Sequence, residues 1–261
     1  MSDVWALGAA YEPYVGRWSR LVARDFLEWL AVPAGRAWLD VGCGTGALSQ
    51  TVLGQAAPRS VDGVDASAGF VEHARAHVSD PRCAFRVADA QALPFEDGAF
   101  DAAVSGLVLN FVREPARMVA DMRRVTRPGG SVGLYVWDYA GEMQLMRRFW
   151  DAAVTLDPAA GPLDEGTRFP ICRPDTLAGL FSAAGLRDVD TRALDVPTVF
   201  RDFDDYWTPF LGGQGPAPSY CVNLPEDRRA ALRERLRATL PADAGGRIAL
   251  VARAWAVKAH V

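Results

Sequence analysis

The sequence predicts an α/β protein in which helices flank a doubly wound, largely parallel β-sheet. Short apolar runs alternate with helical patterns along most of the chain, which is typical of βαβ units. Several of the runs are apolar on both faces, as strands are when helices cover both sides of a sheet. The 261 residues are 50% hydrophobic, enough for a sizeable core. This length corresponds to one large domain or to a core with insertions.

The first half of the chain supplies five predicted strands. They cover residues 36–41, 60–65, 84–87, 100–105 and 131–137. Helical spacing of apolar residues predicts a helix at 25–30, before the first strand, and further helices between strands at 47–53, 69–78 and 115–125. In the last of these, Met118, Met122 and Val125 share one face. The sequence Arg-Pro-Gly-Gly at 127–130 is expected to stop that helix before the fifth strand.

The second half is less regular. Met143, Met146, Trp150 and Val154 recur at helical spacing, and a link containing Pro and Gly follows. A helix over 175–184 is expected to end at Gly185. Strands are predicted over 189–200 and 248–257, with a charged helix at 226–237. The uncharged stretch 206–225 contains FLGGQGPAPSY and is interpreted as a loop, not a membrane span.

The composition excludes several function classes. The 28 basic and 32 acidic residues give a net charge of −4, which does not favour nucleic acid as a partner. Lys258 is the single lysine, so no lysine is placed to form a Schiff base or to cradle a phosphate. His73 and His77 lie four residues apart on a predicted helix, with no third ligand at a metal-binding spacing. We therefore expect neither a metal site nor a histidine-driven catalytic triad.

The compartment follows from the cysteines and the N-terminus. The four cysteines lie far apart in sequence and form no CxxC pair, so free thiols in a reducing cytoplasm are expected. The first residues contain no apolar h-region, and we expect no signal peptide.

The most informative segment is Leu39-Asp40-Val41-Gly42-Cys43-Gly44-Thr45-Gly46-Ala47-Leu48, in which a buried strand ends in a glycine-rich turn that opens a helix. Glycines permit positive φ and let a ligand approach the backbone. Gly42, Gly44 and Ala47 match the dinucleotide pattern GxGxxA, so a nicotinamide-dependent oxidoreductase is one alternative.

Two carboxylates favour a different cofactor. Asp40 precedes the glycines and is expected to place a negative charge at the edge of the ligand, where it would repel a pyrophosphate and attract an amino group or a sulfonium. Asp65 ends the second strand at the spacing of a ribose-hydroxyl acceptor. Together, Asp40 and Asp65 favour a nucleoside that carries a cationic amino acid.

Four motifs in order, LDVGCGTG, GVDAS, FRVADAQALPFEDGAFD and RRVTRPGG, resemble those of class I S-adenosylmethionine-dependent methyltransferases. The resemblance covers about residues 36–139 and is nearest to the branch of ubiquinone and menaquinone biosynthesis and of natural-product methylation. It implies a Rossmann-like sheet of seven mostly parallel strands, with the last strand antiparallel and helices on both faces. It also implies S-adenosyl-L-methionine as the cofactor.

The resemblance further assigns roles to individual residues. It implies that Asp40 and the loop glycines form the first cofactor motif around a small Cys43, that Asp65 holds the ribose, and that Asp89 accepts the exocyclic amine of adenine. Trp18 would cover the cofactor. The complete set of cofactor-binding residues that it implies is Trp18, Asp40, Gly42, Cys43, Gly44, Gly46, Asp65, Ala66, Asp89, Ala90, Ser105 and Leu107.

The function expected from this reading is methyl transfer to O, N or C of an apolar or aromatic small molecule. Tyr11 and Tyr139 are the candidate catalytic residues, with Asp138 as a further candidate base. A non-catalytic scaffold that binds S-adenosylmethionine remains the second alternative. The oligomeric state stays open.

The length can also be divided among parts of one methyltransferase domain, 1–261. The cofactor-binding core is expected at about 36–139, 173–200 and 247–258. The intervening segments, about 1–35, 140–172 and 201–246, are expected to form lid insertions that select the substrate.

Overall fold

The fold is that of a computed structural model, which describes residues 16–213 and 215–261. Within them, the chain forms a seven-stranded sheet in the order β3-β2-β1-β4-β5-β7-β6. The strands are β1 (Ala37–Val41), β2 (Ser60–Asp65), β3 (Cys83–Val87), β4 (Phe100–Gly106), β5 (Thr126–Trp137), β6 (Arg187–Phe200) and β7 (Ile248–His260).

Helices flank this sheet. They are α1 (Arg17–Leu30), α2 (Ala47–Gln55), α3 (Ala68–His77), α4 (Pro115–Val125), α5 (Gln144–Leu156), α6 (Glu165–Arg168), α7 (Pro174–Ala183), α8 (Phe203–Trp207), α9 (Pro216–Asn223) and α10 (Glu226–Thr239). Short 3-10 helices follow β4 at Leu109–Phe111, α5 at Pro158–Leu163 and α8 at Thr208–Gly212. No helix among the described residues is both long enough and apolar enough to cross a membrane.

The pairing of the strands confirms the predicted fold class. The β1–β2, β2–β3, β1–β4 and β4–β5 pairs are all parallel. Strand β7 runs the other way: the N–H of Gly129, near the start of β5, donates to the carbonyl of Val261, just beyond the end of β7. The side chain of Arg187, which begins β6, donates from its guanidinium to the same Val261 carbonyl. The last strand is therefore antiparallel to its neighbours, as the resemblance implies.

The chain divides into two compact units. Unit one contains Trp137–Pro170, Asp195–Arg253 and, at its N-terminal end, Trp18. Unit two contains Ser19–Val136, Ile171–Leu194 and Ala254–Val261. Each unit has its own core, because large side chains are buried in both.

Unit two has its core around β1 and β5. All five residues of β1 are buried, as expected for a central parallel strand. Helix α1 packs its Phe26 ring 4.9 Å from the ring of Tyr135 on β5. The helix begins at Arg17, eight residues before the predicted start, since its N-terminal turns supply further buried residues such as Val22.

Unit one is built around aromatic rings. The rings of Phe149 and Phe210 stack at 4.4 Å, and the Tyr206 hydroxyl donates to the carbonyl of Leu145. Glu165 is 1% exposed, and Trp150 Nε1 donates to its carboxylate. Burial raises the pKa of Glu165 to about 7.

Two sequence predictions about local structure are wrong. The fifth strand begins at Thr126 and not at 131, so residues 127–130 belong to β5, and the β4–β5 register shifts between Phe100 and Ala102. The stretch 206–225 is not a loop: it contains the 3-10 helix Thr208–Gly212 and helix α9. Pro216 is at the first turn of α9, where a missing N–H is tolerated.

Candidate cofactor-binding site

The glycine-rich loop lies between β1 and α2 in unit two. Gly42, Gly44 and Gly46 have φ values of 74°, 52° and 88°, a region that L side chains rarely adopt. The N–H of Gly42 donates to the Val64 carbonyl at 2.7 Å, which ties the loop to β2. A Cβ added at Gly44 would meet no atom within 4 Å. The loop thus presents open backbone to a ligand at the carboxyl edge of the sheet.

Asp40 lies beneath this loop. It is 1% exposed, and its Oδ2 accepts a 2.6 Å hydrogen bond from the Ser49 hydroxyl on α2. Its Oδ1 has no hydrogen-bond partner among the described residues. Burial raises the pKa of Asp40 to about 7, although the bond from Ser49 opposes the shift. Ser49 and the strand thus enclose the carboxylate and leave Oδ1 without a hydrogen-bond partner among the described residues.

Asp65 is held in place by backbone donors. Its Oδ2 accepts from the N–H of Gly44 at 3.0 Å, and its Oδ1 accepts from the N–H of Ser67 at 2.8 Å. Burial raises its pKa, while these two bonds oppose the rise. A carboxylate has about four acceptor positions, so each oxygen keeps capacity for a further donor. Ala66, next in sequence, is exposed beside it.

Asp89 lies just beyond β3, whose parallel pairing places Val87 opposite Asp65. Its carboxylate is exposed and accepts from both the backbone N–H and the side-chain amide of Gln91. These bonds hold the pKa of Asp89 below its usual value. The neighbouring Ala90 is partly buried.

Ser105 and Leu107 lie at the end of β4, on the other side of β1. Ser105 is 1% exposed, and its hydroxyl has no partner within the described ranges. Leu107 has a φ of 63°, unusual for a residue with a side chain, and its N–H donates to the Tyr135 carbonyl at 2.8 Å.

Comparison with known proteins agrees with this geometry. The sequence profile of a family described as "Methyltransferase domain" matches residues 39–134, from β1 through most of β5. The match contains the glycine-rich loop and the carboxylates of Asp40, Asp65 and Asp89. Residues 39–134 are therefore similar to a methyltransferase domain.

Two curated relatives are themselves methyltransferases. The 2-methyl-6-phytyl-1,4-hydroquinone methyltransferase of Synechocystis sp. is 29% identical over 237 residues, which cover 82% of this chain and 73% of that protein. The demethylmenaquinone methyltransferase of Renibacterium salmoninarum is 36% identical over 116 residues, or 44% of this chain and 46% of that one. The chain spans about half the length of several curated relatives that it matches.

A solved structure supports the fold. The YcgJ protein of Bacillus subtilis has a TM-score of 0.62 and 18% identity, and the alignment covers 92% of this chain and 97% of that one. The structural likeness extends well beyond the residues that the family profile matches.

Unit two fits S-adenosylmethionine, the methyl donor of such methyltransferases, in two respects. Asp40 Oδ1 is a buried acceptor without a partner, which suits a cofactor that carries cationic groups. The space beside Gly44, which a side chain at this position would occupy, is open to a ligand. The alternative of a nicotinamide oxidoreductase receives no support from the comparisons.

Cys43 is a buried residue of the glycine-rich loop. It is 6% exposed and packs with Val71, Val78 and Phe85. Burial raises the pKa of its thiol strongly, so it is not poised as a nucleophile.

The remaining predicted site residues lie in unit one or outside the described ranges. Trp18 is 9% exposed, with its ring 5.7 Å from that of Phe200, and the ring of Tyr139 lies 5.4 Å from that of Phe169. The Asp138 carboxylate accepts from two backbone N–H groups of the turn that follows it. Tyr11 is outside the described residues.

The structure adds two residues that the sequence reading missed. Arg124 on α4 donates to the carbonyls of Leu93 and Phe95 and pairs with Asp97, which fixes the loop after Asp89. It lies inside the RRVTRPGG motif, so the motif was the available signal. Ser49, which binds Asp40, gave no signal because its role depends on how α2 packs on β1.

The two histidines of the predicted pair and the single lysine have contacts within the protein. The rings of His73 and His77 stack at 3.9 Å, and no three His, Cys, Asp or Glu side chains in these ranges are grouped to hold a metal ion. Lys258 Nζ donates to the Trp29 carbonyl at 2.8 Å and lies over its ring.

Proposed function

We propose that the protein transfers the methyl group of S-adenosylmethionine to O, N or C of an apolar or aromatic small molecule. The observation that carries this proposal is the pair of carboxylates on adjacent parallel strands, Asp40 and Asp65. One is buried with a free oxygen, and the other is fixed by two backbone N–H groups beside the open glycine loop.

Each cofactor-binding residue has a distinct task. Asp65 would bind the ribose hydroxyls, since both its oxygens keep acceptor capacity after the bonds to Gly44 and Ser67. Asp89 and Ala90 would flank the adenine. Asp40 Oδ1 would accept from the cationic amino-acid portion. When bound, the cofactor supplies a methyl group on a sulfonium, which is already an activated leaving group.

The protein's own contribution is then mainly positioning. Correct orientation of two reactants supplies about 7–11 kcal/mol of a barrier. We propose that Ser105 and Leu107 line the methionine end, and that the insertions 1–35, 140–172 and 201–246 form a lid over the single domain. In this proposal Trp18 covers the cofactor, and Tyr11 or Tyr139 accepts a proton from the acceptor when one has to leave.

The acceptor class is supported by two observations. The relatives named above act on a hydroquinone and on demethylmenaquinone, both of which are hydrophobic ring compounds. Unit one, which contains two of the three insertions, is rich in aromatic side chains such as Phe149, Trp150 and Phe210. Aromatic walls suit an apolar acceptor and also attract the methyl cation character of the transition state.

A small molecule is a better partner for this surface than nucleic acid. Two of the five arginines of α10 pair with acidic residues outside the helix: Arg228 lies 3.0 Å from Asp157, and Arg233 lies 2.9 Å from Asp204. We also place the protein in the cytoplasm, a proposal that its four free cysteines support.

The test is a pair of calorimetric titrations followed by turnover. We expect S-adenosylhomocysteine to bind the wild-type protein with one site per chain and NADH to give no binding heat. A panel of phenols and quinols with S-adenosylmethionine should then yield a methylated product. Binding of NADH without binding of S-adenosylhomocysteine would contradict the proposal, whereas binding without turnover on any acceptor would favour a scaffold.

A further inference from the structure

The segment after β4 is wedged against the glycine-rich loop. A Cβ at Gly106 would lie 2.5 Å from the Tyr135 hydroxyl oxygen, and a Cβ at Gly42 would lie 2.5 Å from Val108 Cγ2. Between these two contacts, Leu107 has its unusual positive φ. Such a backbone costs free energy and persists only where its surroundings over-determine it. The segment is therefore held in one conformation beside the loop, within unit two.

Asn110 is the unusual residue of this segment. Both its Nδ2 and its Oδ1 are shielded from solvent, and neither has a hydrogen-bond partner among the described residues. The great majority of buried polar side-chain atoms in proteins are paired, and an unpaired one destabilises the folded protein. The Ser105 hydroxyl, five residues earlier, is orphaned as well. The segment thus leaves a donor and an acceptor unused at one side chain, with a hydroxyl nearby in sequence.

No other described side chain combines these features. Trp38 Nε1 and Thr198 Oγ1 are single orphaned atoms on strands of the sheet. The other asparagine of the chain, Asn223, donates from Nδ2 to the Ser219 carbonyl and is exposed. The two asparagines therefore differ: the Asn110 amide lacks hydrogen-bond partners among the described residues, whereas the Asn223 amide has one.

The position of β4 decides which ligand the amide meets. Asp65 and Asp89, proposed to bind the adenosine, follow β2 and β3 on one side of β1, and β4 is on the other side. A cofactor that lies across the strand ends has its reactive end toward β4. Asn110 therefore lies on the side where the acceptor would bind, an assignment that depends on the proposed function.

We propose that Asn110 is a specificity-determining residue that recognises a hydroxyl group on the ring of the acceptor. A carboxamide offers one donor and one acceptor in the same plane. The hydroxyl hydrogen of the acceptor donates to Oδ1, and its oxygen accepts from Nδ2. An ether at the same place satisfies only Nδ2, so the site discriminates against an acceptor whose hydroxyl is already blocked.

The test compares Asn110→Leu with Asn223→Leu as the matched control. Without ligand, Asn110→Leu should raise the Tm by about 2–4 °C, because it removes buried polar atoms that have no partner. Asn223→Leu should not raise it. A fall in the Tm of Asn110→Leu would overturn the proposal, since it would mean that the amide has partners in the protein.

The second arm uses protein saturated with S-adenosylhomocysteine and two probes, naphthohydroquinone under anaerobic conditions and its dimethyl ether. We expect the wild type and Asn223→Leu to prefer the hydroquinone by about tenfold in Kd, and Asn110→Leu to bind both probes equally. Retained preference in Asn110→Leu overturns the assignment. A tenfold loss of S-adenosylhomocysteine affinity in Asn110→Leu also overturns it, because the amide would then serve the cofactor. Failure of the wild type to bind S-adenosylhomocysteine would instead reject the proposed function, and the Tm comparison would still decide whether Asn110 is orphaned.

Discussion

The polar side chains on the two sides of strand β1 differ in their hydrogen bonding. On the side of β2 and β3, Asp65 and Asp89 are already engaged by N–H groups of the protein, which fix their orientation before any ligand arrives. On the side of β4, the Ser105 hydroxyl and both amide atoms of Asn110 are shielded from solvent and have no hydrogen-bond partner among the described residues. The first arrangement is pre-organised for the cofactor, which is the same in every reaction cycle. The second leaves hydrogen-bonding capacity for a ligand that the protein must recognise.

The largest expected effect is on the pre-organised side. Asp65→Ala removes the acceptor proposed for two ribose hydroxyls, and hydrogen bonds to a charged group contribute about 1.5–3 kcal/mol each. We expect the affinity for S-adenosylhomocysteine to fall about a thousandfold, measured by calorimetry.

The control for this variant is Asp62→Ala. Asp62 lies on the same strand but pairs with Arg86 at the surface, so its loss should leave the affinity within about twofold. Equal losses in the two variants would show that damage to β2, and not a lost contact, weakens binding.

The next effect concerns Asp40, between the two sides. Its pKa of about 7 in the folded protein is above the usual 3.8, so the stability it contributes is fully present below about pH 4 and is lost as the pH rises through 7. The free energy of unfolding of the wild type should therefore fall by roughly 3 kcal/mol between pH 5 and 8 on account of Asp40.

Asp40→Asn should reduce this fall, as measured by urea unfolding across that pH range. Glu165, with a pKa also raised to about 7, titrates in the same direction and should leave a residual slope. Asp62→Asn is the control and should keep the full slope. An unchanged slope in Asp40→Asn would mean that Asp40 is ionised and solvated in the folded state.

The smallest expected effect is at the glycine loop. Gly44→Ala places a Cβ in space that is open in the protein, and Gly35→Ala does the same at a similar φ before β1. Both should lose about 1 kcal/mol of stability through backbone strain. Only Gly44→Ala should also weaken S-adenosylhomocysteine binding, by about tenfold. A similar weakening in Gly35→Ala would contradict the placement of the cofactor at the loop.

Much of the pre-organised side could be predicted from the sequence, since its signals are local. Strand β1, the turn glycines and Asp65 at the end of β2 follow one another in a short stretch with strong patterning. The burial of Asp40 could not be predicted in this way, because it depends on Ser49 reaching back from α2. Helix α9 was missed for a different reason: Gly213 and Gly215, both at positive φ, come just before a helix whose prolines suggest a loop.

The side of β4 was even less accessible to sequence reasoning. The segment 105–111 shows no motif for its acceptor, and nothing in the residue types marks Asn110. Asn110 stands out only because its amide atoms lack hydrogen-bond partners among the described residues, and this depends on tertiary packing. The recognisable parts of the chain are thus those that bind the cofactor, while the substrate-binding parts are defined by packing.

The most direct test of this division is the Kd of S-adenosylhomocysteine for Asp65→Ala and Asn110→Leu, measured side by side with the wild type. The account predicts a loss of about a thousandfold for Asp65→Ala and a change within twofold for Asn110→Leu. Comparable losses in both variants would contradict it, because the two sides of β1 would then bind the same ligand.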